Sequence, residues 1–329
     1  MKCISCTEHD VDAESRYMKY FIRKVLALIL TLVVVSILVF LAFSLIPGDP
    51  ALRKVGTEGT PEQLRALREQ MGLTAPLPER YFVWVKALLS GDLGTSYYYD
   101  QPVSVLLAGK IPVTLALALL AFFFTVLISV PLGIYTAKYE NSLIDRVIVI
   151  LNQVIMSIPP LFSGIILSAL FGLVLKWFTP GAYVSYQTSL KGFLGYLILP
   201  AVCVALPKAA MAIKLLRSSM IAEAARDYTR TAYSRGNTIN GVLYGHVLKN
   251  AVIPVITFLG MALADMLAGS IVVEKIFGIP GISNVLISSI SNRDYPVVEA
   301  VIMGIAFIIV VINLLVDLLY KMIDPRIRA

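Results

Sequence analysis

Residues 25–46 read VLALILTLVVVSILVFLAFSLI, twenty-two residues without a charge. Crossing the hydrocarbon layer of a bilayer as a helix takes roughly 20 apolar residues, so a run of this length is a candidate membrane span. It is too long for the apolar region of a secretory signal, and Pro47, Gly48, Asp49 and Pro50 follow it in place of a small-residue cleavage site. Five further runs of the same kind lie at 111–137, 147–175, 192–213, 250–273 and 300–320. Barrel strands would alternate apolar and polar residues, whereas these runs are continuously apolar. The expected fold is an all-α integral membrane protein with six transmembrane helices.

Composition agrees. Of 329 residues, 58% are hydrophobic and 15% charged, and the mean hydropathy is +0.80, which excludes an ordinary soluble domain. Lysine and arginine set the orientation, because short cytoplasmic loops carry their excess. With the N-terminus inside, the inner segments hold 17 of them and the short outer loops four: Lys176, Lys191, Lys275 and Arg293. Both termini are therefore expected on the cytoplasmic side. The formal charge of +7 follows from this topology; the basic residues are dispersed beside spans, and no nucleic-acid partner is expected. The chain divides into a cytoplasmic tail (1–24), the first transmembrane helix (25–46), an extracytoplasmic lobe (47–110), a five-helix translocation core (111–320) and a second cytoplasmic tail (321–329).

Cys3, Cys6 and His9 lie in the polar leader. A structural zinc site generally takes four ligands, so the leader reads as a disordered tail, with no metal or other cofactor expected. Cys203, inside the fourth run, reads as a packing residue. In the lobe, Thr60 is the expected N-cap of a helix over 60–71 with Pro61 at its first position, and a second helix is expected over 78–90. Tyr97, Tyr98 and Tyr99 precede the second span and read as an interfacial aromatic belt rather than a stacking site for a ligand.

Ionisable groups at membrane depth normally face protein or water. Lys208, Asp265 and Asp317 occupy the last three runs, which are therefore expected to face inward. Prolines at 131, 159, 160, 200, 207 and 254 remove backbone donors within the core, and Pro159-Pro160 is the strongest break. Asp265, Pro159 and Pro160 are the candidate pathway residues. Glu274 and Lys275 abut the fifth run and read as a solvated outer loop. No catalytic constellation is present, and the spans hold no pair of carboxylates at helical spacing.

Between the fourth and fifth runs lies a basic segment of 34 residues, 217–250, reading RSSMIAEAARDYTRTAYSRGNTINGVLYGHVLKN. It reads as two helices joined at Gly236, since glycine permits the positive φ of a sharp helix end. Here the chain resembles the permeases of binding-protein-dependent ABC importers of the dipeptide, oligopeptide and nickel group. Asp227, Tyr228, Arg230, Thr231, Ala232, Arg235 and Gly236 carry the resemblance, with His246, Leu248, Lys249, Asn250, Ala251 and Pro254 following in register. The motifs Pro47-Gly48-Asp49-Pro50, Gly91-Asp92-Leu93-Gly94, Glu274-x-x-Phe277-x-x-Pro280-Gly281, Arg293-Asp294-Tyr295-Pro296 and Asp324-Pro325-Arg326 agree with it. Two departures stand out: Glu223-Ala224-Ala225 lies seven residues ahead of the position such importers use, and Tyr233 and Ser234 replace the usual pair.

The resemblance implies a type I ABC importer permease fold and transport of di- or oligopeptides. It implies, as partners, a homologous second permease subunit, two ATP-binding cassette ATPase subunits, an extracytoplasmic substrate-binding protein and membrane lipid. The residues implied to couple to the ATPase are Asp227, Tyr228, Arg230, Thr231, Ala232, Arg235, Gly236 and His246, the last also read as a helix cap or a partner of a backbone carbonyl. With no Gly-x-x-x-x-Gly-Lys-Ser/Thr loop, the chain is expected to be no enzyme and to receive its ATPase in trans. A nickel or metal-chelate importer shares these motifs and stays open. An ion-coupled secondary carrier, with Lys208 and Asp265 as its ion site, would leave the 34-residue loop unexplained.

Overall fold

The computed structural model describes residues 4–45, 49–55 and 60–323. Cys3, Pro47, Gly48 and the Asp324-Pro325-Arg326 motif lie outside them, as do the side chains of Cys6 and His9. Along the chain run α1 (Ile4–Leu45), α2 (Pro50–Val55), α3 (Pro61–Gln70), α4 (Leu77–Leu89), α5 (Val103–Ala108), α6 (Ile111–Lys138), α7 (Leu143–Ser157) and α8 (Pro160–Ser168). A π-helical turn (Ala169–Val174) extends α8. Then come α9 (Leu190–Ala224), α10 (Asp227–Ser234), α11 (Ile239–Val242), a second π-helical turn (Leu243–Val247), α12 (Leu248–Ala251), α13 (Ile253–Phe277), α14 (Ile282–Asn292) and α15 (Tyr295–Ile323). Among the described residues there is no strand, only an isolated bridge between Thr95 and Pro102. Five helical stretches are long and apolar enough to cross a membrane, and a sixth if α7 and α8, bent by 103° at Pro159, form one span. The third apolar run is thus broken where the proline pair stands.

The leader departs from expectation. Its backbone is helical from Ile4 and continuous with the first span. Neither proline nor glycine occurs before Pro47, so nothing in the chain interrupts propagation once the apolar part has nucleated a helix.

The chain forms two compact units. Among the described residues, one runs from Ile4 to Ser104 and takes in Ser289–Leu314. In it α1 meets α4 through aromatic packing, Phe40 lying 5.9 Å from the Trp84 ring and 5.4 Å edge-on from Tyr81, while Ser36 and Tyr81 share a hydrogen bond of 2.9 Å. Thr60 caps α3 as its spacing predicts, in a reciprocal box with Gln63. Asp294 is fully buried. Its carboxylate accepts hydrogen bonds from Ser96 Oγ and from the backbone N–H of Tyr97 (2.8 Å) and Tyr98 (3.4 Å). The tyrosine triplet is therefore a carboxylate clamp; Tyr98 alone is exposed as a belt would require, and burial, with Glu299 nearby, pushes the Tyr97 phenol up to about 12.

The other unit comprises Val105–Ser288 and the stretch 315–323. Its core lies among α6, α9 and α13, where Leu117, Ala121, Leu197, Ala201, Ala205, Ala262 and Met266 are buried together. Small residues let helix backbones approach closely where lipid supplies no hydrophobic drive. Glu274 corrects the solvated-loop expectation. It is fully buried, and its carboxylate accepts from Thr114 Oγ1 at 2.5 Å and from the Ser283 N–H at 3.0 Å. Thr114 Oγ1 in turn accepts the Ile282 N–H at 3.0 Å. A carboxylate set one turn inside a helix end escapes burial only if the following chain leads away, and here it folds back over α13. Gly281 has no side chain because a Cβ there would run into that carboxylate. Replacing it with alanine is expected to destabilise the protein by about 1–3 kcal/mol, read as a lower melting temperature in detergent; an unchanged melting temperature would show that this seat is not a structural constraint.

Candidate coupling and pathway site

At 1.5 Å per residue, the 35 residues of α9 span roughly 50 Å, against about 30 Å of hydrocarbon, so part of α9 stands outside the layer. The expected pair of helices around Gly236 is present with one further break: residues 217–224 complete α9, and the chain kinks through an extended Arg226 (ψ 154°) before α10. Asp227 follows as the first residue of α10, where a carboxylate suits the helix dipole.

A network braces this kink. Tyr228 Oη donates to Glu223 Oε2 at 2.7 Å, and Asn250 Nδ2 donates to Tyr228 Oη at 3.1 Å. Thr229 Oγ1 donates to the Glu223 carbonyl at 3.0 Å, and Arg226 pairs with the Glu223 carboxylate at 3.1 Å. Burial, joined by the carboxylate to which it donates, raises the Tyr228 phenol above its ordinary value. Glu223 thus ties the end of α9 to α10 and, through Tyr228, to α12. It was legible only as a motif out of register; its spacing of five from Tyr228 was the available signal.

Of the residues expected to couple, Asp227, Arg230, Thr231 and Arg235 are exposed. Ala232 is instead buried in an apolar cluster with Leu216, Met220, Val242 and Val247, so it holds α10 down rather than offering a surface. Gly236 has φ +82°, and its N–H closes on the Tyr233 carbonyl at 2.9 Å; Asn237 Nδ2 bonds the Ala232 carbonyl at 3.0 Å. His246 is exposed in the second π-helical turn and makes no hydrogen bond among the described residues, against the expected cap or carbonyl bond. The turn's widened i→i+5 bonding satisfies the local carbonyls by itself.

A buried ion pair secures the base of this region. Arg217 Nε and Nη2 reach Asp145 Oδ1 and Oδ2, each at 2.8 Å, and Asp145 also accepts the Asn141 N–H at 2.9 Å. This bidentate fork joins the start of α7 to α9, beside a cavity of about 220 Å³ that Thr136, Asn152, Gln153, Lys214 and Ser218 help to line. Among the candidate pathway residues, Pro159 and Pro160 are exposed at the α7–α8 bend, whereas Asp265 sits on α13, paired with Lys208 of α9 at 2.7 Å. Among the described residues no three His, Cys, Asp or Glu side chains gather as a metal site would require.

A family model described as "Binding-protein-dependent transport system inner membrane component" matches residues 129–329, and the corresponding N-terminal model matches residues 17–118. The chain is 34% identical over 309 residues to a probable peptide ABC transporter permease protein of Sinorhizobium fredii, covering 94% of this chain and 99% of that one. It is 36% identical over 307 residues to a putative peptide transport system permease protein of Brucella abortus, with 93% and 98% covered. It is 35% identical over 311 residues to the glutathione transport system permease protein of Salmonella typhi, with 94% and 99% covered.

No atom lies within 4 Å of a Cβ placed on Gly236, so Gly236→Ala meets only the backbone penalty of a positive φ, roughly 1–2 kcal/mol, and Gly236→Asn a smaller one. Hydrogen–deuterium exchange over 227–242 should rise in that order, asparagine before alanine. Equal exchange in all three proteins would show that the positive φ is not what holds the elbow.

Proposed function

Because the chain belongs to the family of binding-protein-dependent transport system inner membrane components, we propose that it is the permease subunit of an ATP-driven importer of di- and oligopeptides, with both termini cytoplasmic. The observation that carries this reading is the braced, exposed elbow. An exposed α10 and a positive-φ glycine follow a helix too long for the bilayer, at the positions where the sequence resembles permeases that dock on ATPases. Relatives aligned over more than nine-tenths of the chain and named for peptide or glutathione transport support the substrate class.

In this reading a soluble or lipid-anchored binding protein delivers the peptide to the outer face, and a second, homologous permease supplies the other half of the pathway. Two ATPase subunits receive the α10–Gly236–α11 surface. ATP-driven closure of the ATPases displaces that surface. Since Glu223, Tyr228 and Asn250 tie it to the ends of α9 and α12, the displacement reaches the helices and switches access from one side of the membrane to the other. Asp227, Arg230, Thr231 and Arg235 are the surface offered to the ATPase, and Tyr228 is a positioning residue behind it.

The test is ATP hydrolysis by the complex in liposomes, with di-, tri- and pentapeptides and a nickel chelate each presented by the binding protein. Peptides should stimulate hydrolysis. Gly236→Pro, whose ring fixes φ near about −65° and removes the donor to Tyr233, should abolish the stimulation while the complex still assembles. Stimulation by the nickel chelate alone would transfer the chain to metal import, and a normal response in the proline variant would remove the elbow from the mechanism.

A further inference from the structure

Asp265 is the middle residue of α13 and Lys208 lies in α9, inside the apolar runs 250–273 and 192–213, so their 2.7 Å ion pair joins two membrane-spanning stretches. An ionisable residue in such a stretch is a functional site until shown otherwise. This pair is incompletely used. Only Oδ2 of Asp265 is engaged; Oδ1 accepts no hydrogen bond among the described residues, and the lysine ammonium has three donors. The Asp265 side chain is 65% exposed and that of Lys208 25%. Asp265 also belongs to an exposed stripe of α13 with Met261, Ala268 and Val272, and Met211, one turn from Lys208, is exposed on α9. A bare carboxylate facing lipid is costly, while methionines adapt to apolar groups of varied shape.

We propose that the Lys208–Asp265 pair is a binding site for the two termini of a zwitterionic peptide in transit, Asp265 taking the ammonium and Lys208 the carboxylate, with the methionines against the side chains. The proposal rests on the peptide-import reading. One internal ion pair is exchanged for two intermolecular ones, so the site stays neutral before, during and after passage. Nothing in such an exchange reads the side chains, which suits a pathway whose cargo varies. The two partners are also carried by the two helices that the α10–α12 loop joins, so separation of α9 from α13 opens the pair.

The test is uptake by the complete complex in liposomes of trialanine, N-acetyl-trialanine and trialanine amide, each compared with its own wild-type rate so that selection by the binding protein cancels. Asp265→Asn should slow trialanine and its amide about tenfold, as loss of one charge-assisted hydrogen bond predicts, and the acetylated peptide far less. Lys208→Met should spare the amide instead. Equal losses for all three peptides, or no loss, would overturn the proposal, the first pointing to a structural pair. If the variants do not assemble, wild type decides: photo-leucine at the first residue of the peptide should label α13 near Asp265, and at the last residue α9 near Lys208, and any other pattern overturns it. A wild-type complex that imports no short peptide would fail the underlying reading, a result distinct from all of these.

Discussion

A peptide group that meets lipid without a hydrogen-bond partner is destabilised by several kcal/mol, so within the membrane every departure from helix needs a substitute partner. The chain obeys this at each break. At the α7–α8 bend, the Ile158 N–H donates to the Ile155 carbonyl at 3.2 Å, and the Phe162 N–H donates to the Pro159 carbonyl at 3.0 Å. At the far end of α13, where the chain doubles back, Thr114 Oγ1 accepts the first N–H of α14, that of Ile282, and the Glu274 carboxylate accepts the next, that of Ser283. At the start of α15, the Asp294 carboxylate accepts the amides of a turn some two hundred residues earlier. Two buried carboxylates, Glu274 and Asp294, each at a place where a helix ends or begins, let an otherwise helical chain change direction.

How much of this was legible depends on range. The spans, the Thr60 cap and the Gly236 elbow are decided by residues within a few positions of each other, through apolar length, a local hydrogen bond or a backbone angle. Their reading from the chain needed no tertiary knowledge. Glu274 was visible as part of a motif with Phe277, Pro280 and Gly281, yet its partner Thr114 lies 160 positions away, and a carboxylate beside a span end looks the same in sequence whether solvated or buried. Tyr97 was misread as part of a belt for the same reason: its backbone amide serves Asp294 and its ring is largely buried, and nothing in the triplet says so. His246 failed in the opposite direction, because a π-helical turn satisfies carbonyls that an ordinary helix end would leave for a side chain.

The candidate site shows the same division. Exposure of Asp227, Arg230 and Arg235 follows from a short polar helix, whereas burial of Ala232 follows from which face of α10 meets Met220 and Val247. A single run of motif residues therefore mixes two physical roles, exposure and support. Glu223 makes the point sharply. Out of register as a motif, it is the residue on which Arg226, Tyr228 and Thr229 converge.

These roles connect along the chain. From Lys208 to Ala224 is about 24 Å of uninterrupted helix, and from Ile253 to Asp265 about 18 Å. The segment between the two is α10, the elbow, α11 and α12, clamped at its base by Glu223, Tyr228 and Asn250. A force on α10 cannot be absorbed by unravelling this base without breaking those bonds. Under the proposed coupling it would be passed instead as a tilt of two helices whose midpoints carry opposite charges 2.7 Å apart. Arg217 and Asp145 limit the tilt of α9 by fixing it to α7 on the same stretch. If the loop is driven by the ATPases as proposed, the fork to α7 would favour movement of α9 relative to α13, where the ion pair lies.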